Sequence, residues 1–414
     1  MSTSQENRTD ADVIVVGGGV AGLTMSVLLG QYGFDVICID RDDPYQQARA
    51  DYDRRAIAIS YGSHHLLKAC GVWDDMSVHG CPIRDIDILD GVSPVLLQFE
   101  RDQSPEGAFG WIVEMYHIRQ ALLSAVMASE RVQHITKCAV ESFETSGDVA
   151  SVTLADGRTL RSKLIIGADG RGSSVREWLG IRHHSWSYDQ RAIVCAVAHD
   201  NPHDNIAVEH FHSHGPFAVL PMLDDENGGH RSSIVWTEHC DEEQSILNYS
   251  DDVFNTALNE YFPDRYGRVA LASKVFSYPL GLIHAHKYYG ERAVLIADAA
   301  HGIHPVAGQG LNLGFRDIAA LAELLVEAKN CSGDIGSEDL LAQYQNMRHF
   351  DNMAMAATCD ALVKLFSSKS KTVSLARKAG LRLVQRSSFA KKLFARQAMG
   401  TAGRLPKLIK GEKI

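Results

Sequence analysis

Asp12 to Val16 (DVIVV) form a short apolar, β-branched run that stops at three consecutive glycines, Gly17 to Gly19. The segment that follows, VAGLTMSVLLGQYG, has the apolar spacing of a helix, and a second β-branched run, DVICID, ends at Asp40. Strand, glycine turn, helix and strand in this order predict the opening βαβ unit of a dinucleotide-binding domain. In the middle of the chain the period changes to two. VSPVLLQFE, AVESFET, SVTLADG, RAIVCAVAH, GPFAVLPM and SSIVWTE alternate, with turn signals at Asp156-Gly157 and Asn227-Gly228-Gly229. They predict a mostly antiparallel sheet grafted onto the first unit. After about residue 311 the pattern is helical throughout. The expected class is therefore mixed α/β and α+β: a Rossmann-like domain, an interleaved sheet domain and a helical C-terminal extension.

At 414 residues the chain is long enough for about two to four folding units. Its apolar fraction of 45% and charged fraction of 22% exclude wholesale disorder and collagen-like repeats. The net charge of −10 argues against nucleic acid as a partner. That charge is unevenly spread, because residues 361–414 hold 14 Lys and Arg against one acid, Glu412. A basic tail on an acidic body suggests three roles: contact with an anionic membrane face, contact with a partner protein, or docking on its own acidic surface. SFAKKLFARQAMG adds Phe389, Leu393 and Phe394 among Lys391, Lys392 and Arg396, an amphipathic basic helix. The polar N-terminus and the lack of any run of about 18 apolar residues predict a cytoplasmic, non-spanning protein. Eight scattered cysteines without a C-x-x-C pair predict buried free thiols.

Three loops carry chemistry. In the first, Gly17 would make the tight turn, Gly19 would let a pyrophosphate approach the backbone, and Gly22 would allow close helix–strand packing. Asp40 falls where a carboxylate hydrogen-bonds a ribose. The second loop follows the strand Leu164 to Ile166 and contains Asp169, Gly170, Ser173 and Arg176 in a D-G-x-x-S-x-x-R pattern. The third runs from Asp298 through Pro305, Gly308, Gln309 and Gly310 to Asn312 and feeds a helix. Its unpaired N–H groups and positive dipole end suit an anion such as a reduced isoalloxazine. Three such loops exceed what a single NAD site requires.

Together these loops resemble the fingerprints of the single-component flavoprotein aromatic monooxygenases, whose fold is that of para-hydroxybenzoate hydroxylase. HPVAGQGLNLGFRD (His304 to Asp317) is similar to the signature of the ubiquinone-biosynthesis ring hydroxylases, as are DRRAIAISYGS, GPFAVLP with SSIVWT, and RQAMG. The resemblance spans nearly the whole chain. It implies FAD as cofactor, NAD(P)H as reductant, and hydroxylation of a polyprenylated phenol by O₂ through a flavin C4a-hydroperoxide. Gly17, Gly19, Gly22 and Asp40 would hold the ADP half, and Arg55 and Arg119 the flavin or its phosphates. Asp298 would contact the ribityl chain, and Asp169 would belong to the motif shared by FAD and the reductant. Pro305, Gly308, Gln309 and Gly310 would line the isoalloxazine edge, followed by Asn312. Ala297 stands where the family usually has glycine, and Arg119-Gln120 where Gln-Arg is commoner.

The implied domains are 1–75, 111–180 and 281–360 for FAD, 76–110 and 181–280 for substrate, and 361–414 for the basic helical region. Alternatives are a hydroxylase of a small soluble aromatic and a flavin-holding scaffold within a biosynthetic complex. His210, His212 and His214 would share a strand face, but the family needs no metal there. His301 and His304, beside the third loop, suit structural hydrogen bonding. Trp111, Trp236, Phe217 and Pro221 are core or pocket wall.

Overall fold

The computed structural model describes residues 9–53, 55–91, 96–212, 215–240, 245–304, 308–366 and 371–414, with 371–376 as backbone only. The strand Ala11–Val16 is central to an eight-stranded sheet. Val13, Ile14 and Val15 are fully buried because both sheet faces are covered, which is why this strand is continuously apolar instead of alternating. Parallel neighbours follow in the spatial order Ala293–Leu295, Thr159–Gly167, Ala11–Val16, Val36–Ile39 and Val132–Ile135. An antiparallel hairpin, Val140–Ser146 with Val149–Leu154, extends from Thr159–Gly167, so AVESFET and SVTLADG join this sheet and not the middle one. The helix Val20–Gln31 is apolar on all sides and lies between the helices Met115–Ala128 and Gly310–Asn330. Its two hydroxyls are satisfied within the helix, Thr24 Oγ1 donating to the Val20 carbonyl and Ser26 Oγ to that of Gly22.

A nine-stranded sheet forms the second layer, antiparallel except where Ile206–His212 runs parallel to Asp85–Asp90. Its spine is the 17-residue strand His183–His199, paired with Phe276–Ala285 on one side and His230–His239 on the other. Alternation sorts its side chains. Ile193, Val208, Phe217, Ile234 and Trp236 form a core with the helix Asp251–Tyr261 on the outer face, so Phe217 and Trp236 are core and not pocket wall. A small third sheet joins Ala56–Ser60 and Cys81–Ile83 to Gly110–Glu114.

The helical prediction past residue 311 holds in Gly310–Asn330, Glu338–Phe366, Lys371–Arg386 and Ser388–Ala398. The basic tail docks on its own body through Arg377 with Asp90 (2.5 Å), Lys391 with Glu100 (4.0 Å) and Lys407 with Glu323 (3.9 Å). Ala395 and Met399 join an apolar cluster with Tyr61 and Phe109, and Leu408 and Ile409 enter the main core. The region is thus part of the fold and not a detachable arm. Six cysteines are buried as expected, but Cys240 and Cys331 are exposed.

Candidate active site

Register places the loops. Val16 pairs with Gly167 and Ile39, and Gly167 with Leu295, so these strands end level at one sheet edge. The loops that leave this carboxyl edge carry Gly17 to Gly19, Asp40, Asp169 and Asp298. This is where open α/β sheets bind ligands. Gly17 has φ of +106°, and a Cβ there would lie 2.5 Å from the Ala168 carbonyl oxygen. The first two loops therefore touch through backbone alone. A Cβ on Gly22 would lie 1.8 Å from the Gly17 carbonyl oxygen, whereas one on Gly19 would meet no atom within 4 Å. The first is a packing glycine, and the second opens onto free space at a helix start.

From Asp40 a line of charges follows the edge. Asp40 is buried, which pushes its carboxyl upward, and its Oδ1 accepts from the Asp42 amide at 2.9 Å. Arg119 lies in electrostatic range of Asp40, Asp53 and Arg55, and Arg55 in range of Asp298. Asp53 joins the two arginines, with Arg55 Nη2 at 2.6 Å and Arg119 Nη2 at 3.8 Å. Arg119 Nη1 also donates to Gln47 Oε1 (2.9 Å) and Gln120 Nε2 to the Ala48 carbonyl (3.1 Å), so both residues of the inverted Arg-Gln pair are engaged. Asp298 keeps solvent-accessible surface at the sheet edge; desolvation by the surrounding protein pushes its carboxyl up against the opposing pull of His301, Arg171 and Arg55.

The FAD binding domain family matches residues 10–359. The chain belongs to this family. It is 42% identical over 391 residues to ubiquinone hydroxylase UbiL of Rhodospirillum rubrum, covering 94% of this chain and 90% of that protein. It is 32% identical over 392 residues to the 3-demethoxyubiquinol 3-hydroxylase of Escherichia coli, covering 94% and 98%. The human mitochondrial ubiquinone biosynthesis monooxygenase COQ6 is 31% identical over 425 residues, covering 89% and 88%. Among solved structures, p-nitrophenol 4-monooxygenase PnpA from Pseudomonas putida shares the fold, with a TM-score of 0.77 at 18% identity over 96% of this chain and all of that one. The protein is accordingly an FAD-dependent oxidoreductase.

The residues of this flavoprotein fit FAD. Asp169 Oδ2 accepts from the Val175 amide at 3.2 Å, while its buried Oδ1 has no partner among the described residues. The helix Gly310–Asn330 starts after Gln309 with no side-chain cap among the described residues, which leaves first-turn N–H groups for an anionic ring edge. Asn312 is bound within the protein. Its Nδ2 donates to the carbonyls of Ala58 (2.8 Å) and Gly308 (2.9 Å), and its Oδ1 accepts from the Ser60 amide (2.9 Å). It therefore positions the Gly308 turn, at φ +62°, and does not itself point a free amide into the cleft. Gln309 Nε2 donates to the Ala398 carbonyl at 3.5 Å, tying the loop to the last long helix. Pro305 lies outside the described residues.

A polar network behind the flavin loop was not apparent from the sequence. Asp317, fully buried, accepts from the Ala297 amide (3.0 Å), Arg348 Nε (2.8 Å) and Asn352 Nδ2 (3.0 Å), and lies 2.5 Å from His301 Nε2. Burial alone would raise its carboxyl, but His301 and Arg348 outweigh that and hold it well below the usual carboxylate range. The network locks the turn that carries Asp298. It also explains Ala297, which sits at φ +50° where glycine is favoured: its amide is fixed by Asp317, and Gly314 opposite leaves room, since a Cβ there would lie 2.8 Å from that of Ala297. His304 is buried against Tyr188, ring centroids 5.1 Å apart, and burial pushes it down to about 4. The one sequence hint was that Asp317 closes the signature HPVAGQGLNLGFRD.

The histidine stripe lies on the outer face of the second sheet. His210 and His212 rings are 3.8 Å apart, and His210 Nε2 is 2.8 Å from the Gly91 carbonyl oxygen; His214 lies outside the described residues. Among the described residues no group of three metal-ligating side chains occurs.

Proposed function

We propose that this flavoprotein hydroxylates the aromatic ring of a polyprenylated phenol in ubiquinone biosynthesis, with NAD(P)H as reductant and O₂ as oxidant. The observation that carries this reading is the line of charged groups at the sheet's carboxyl edge, from Asp40 through Arg119 and Arg55 to Asp298. The Gly308 to Gly310 turn that follows in the chain packs on Ala58, and the chain's relatives are named ubiquinone hydroxylases. Bound FAD supplies the activation of O₂ that side chains alone lack. Gly17, Gly19 and Gly22 bring backbone and helix N-terminus to the pyrophosphate, and Asp40 binds the ribose. Arg55 and Arg119 neutralise phosphate or flavin charge, and Asp298 holds the ribityl chain. Asp169 presents its free Oδ1 to a bound hydroxyl. Gly308, Gln309 and Gly310 would border the ring, and the helix N-terminus behind them would stabilise negative charge there.

The tail supports peripheral contact with an anionic membrane, where such a substrate dissolves. Leu383, Phe389, Leu393 and Phe394 are exposed beside Arg382, Arg386, Lys392 and Arg396. No helix among the described residues is long and apolar enough to cross a membrane. The test of the function is whether purified protein carries FAD and whether a 2-prenylphenol accelerates its NAD(P)H-dependent O₂ uptake. Colourless protein, or uptake indifferent to the phenol, overturns the reading.

A further inference from the structure

The second sheet's inner face, where Tyr278 packs under Arg55 at 4.5 Å from its ring centre, is built largely of small or aliphatic side chains. Val194, Ala196, Ser233, Val235 and Ala218 occupy successive positions across three strands. Ala196 and Val235 keep solvent-accessible surface although they lie inside the fold. One acid without an ion-pair partner among the described residues interrupts this face; the other, Asp90, is held by Arg377. Glu209 lies on the strand Ile206–His212, opposite Ala218 on one side and Ile88 on the other. Its neighbours two residues away are Ala207, packed with Ile112 and Met399, and Phe211, stacked on Phe366 at 3.5 Å. The intervening Val208 belongs to the outer core, so alternation turns Glu209 inward. The helix Glu338–Phe366 links the two parts of the site. Met355 and Cys359 pack with Ile303 and Leu313 beside the flavin loop, and Phe366 reaches the Glu209 strand.

Among the described residues nothing hydrogen-bonds or ion-pairs with the Glu209 carboxylate. Charged groups on adjoining elements are already matched: Asp90 with Arg377, Asp360 with Lys364, and Asp87 with Arg265 on the outer face. His210 and His212 belong to the outer face as well, and Gly215–Pro221 carries no titratable side chain. Glu209 keeps accessible surface while protein surrounds it, as Asp298 does, and this desolvation pushes its carboxyl up to about 7. A partly accessible, unpaired acid among mostly small and aliphatic side chains has no structural role to explain it.

We propose that Glu209 is the catalytic residue that accepts the proton of the substrate's ring hydroxyl. This rests on the phenol-hydroxylase reading above. In the step the phenol O–H bond breaks, the proton bonds to a Glu209 oxygen, and the electron pair stays on the ring oxygen. The carboxyl becomes neutral, the phenolate takes up the negative charge, and total charge is conserved. A phenolate ring is the better nucleophile toward an electrophilic oxygen, and a carboxyl titrating near neutrality is matched to the task.

The experiment uses FAD-loaded wild type, Glu209→Gln and Glu209→Asp with 2-prenylphenol. Bound phenolate is read by ultraviolet difference spectroscopy on oxidised protein, alongside kcat and KM across pH 5.5 to about 9. The expected result is a kcat that rises through about pH 7 in wild type, as Glu209 ionises, loses that rise in Glu209→Gln and partly keeps it in Glu209→Asp, with any phenolate signature lost in Glu209→Gln. With it, kcat should fall about 100-fold in Glu209→Gln at nearly unchanged KM and flavin content. Wild type that hydroxylates the phenol, with a Glu209→Gln variant keeping the signature and pH profile, overturns the assignment alone. Wild type that neither binds nor hydroxylates it overturns the functional reading, and the assignment with it.

Discussion

The two sheets build their halves of the site by different means. At the parallel sheet, the proposed cofactor site sits where strands end, and backbone register sets its geometry: Val16, Ile39, Gly167 and Leu295 stop level, and each following loop carries a residue proposed to hold the cofactor. At the antiparallel sheet, the proposed substrate contacts sit in mid-strand, and the side-chain period of two decides which residues face inward. The first arrangement is braced from behind by the buried Asp317, Arg348, Asn352 and His301. The second is a wall of mostly small residues with one unpaired carboxylate, Glu209, among the described residues. Damage to the first region should therefore cost fold and flavin together, while changes on the second should alter substrate handling alone.

The largest effect tests the brace. Asp317→Ala leaves Arg348 short of a buried partner and frees the Ala297 turn, so stability should fall by about 3–5 kcal/mol. Flavin should dissociate in parallel. Thermal denaturation with flavin fluorescence checks both; full flavin retention at a lowered Tm would separate the brace from the cofactor site.

Acid is a graded version of the same test. His284 and His304 are both pushed down to about 4 by burial, so their neutral forms are favoured in the fold. Their contribution is complete above the ordinary histidine range near 6.5 and is lost as pH falls from there to about 4. The loss should amount to roughly 3 kcal/mol for each independently titrating histidine. Denaturant titrations at pH 7.5 and 4.5 measure it, and equal stability at both would remove these two histidines from the account.

How far the sequence foretold this contrast depended on the span of the signal. Gly17, Gly19, Gly22 and Asp40 lie within 24 residues and announce a local βαβ unit, so that end of the cleft was legible. Asp169 and Asp298 were legible as strand ends, because a strand running into a polar turn is also a local signal. The brace was not, since Asp317 meets Ala297, His301, Arg348 and Asn352 only after two helices have packed. Glu209 carries the weakest signal, a single acid at an inward position of VEHFH, and the inward direction is known only once Val208 is placed in the outer core. For the basic tail the sequence left three roles open, because composition reports charge but not the buried contacts of Ala395, Met399, Leu408 and Ile409.

Smaller effects sharpen the second half. Val235→Phe fills part of the inner face, so KM for the phenol should rise about tenfold, equivalent to about 1.4 kcal/mol, with flavin content unchanged. Loss of flavin instead would mean the two halves are not separable. Smallest in stability is Phe389→Glu with Leu393→Glu, at exposed sites, which should change unfolding free energy by less than about 0.5 kcal/mol for each substitution. The same pair should abolish sedimentation with anionic liposomes at low salt; unchanged sedimentation would end the membrane proposal.

The central claim, that the cofactor edge and the small-residue wall together hydroxylate a ring, is tested most directly by isotopic labelling. Purified FAD-loaded protein is given NAD(P)H, isotopically labelled O₂ and a 2-prenylphenol, and the product is analysed by mass spectrometry. The account predicts one labelled oxygen atom in the aromatic product, with reductant consumption accelerated by the phenol. Recovery of unmodified phenol while all consumed O₂ appears as hydrogen peroxide, or a new hydroxyl whose oxygen comes from water, would contradict it.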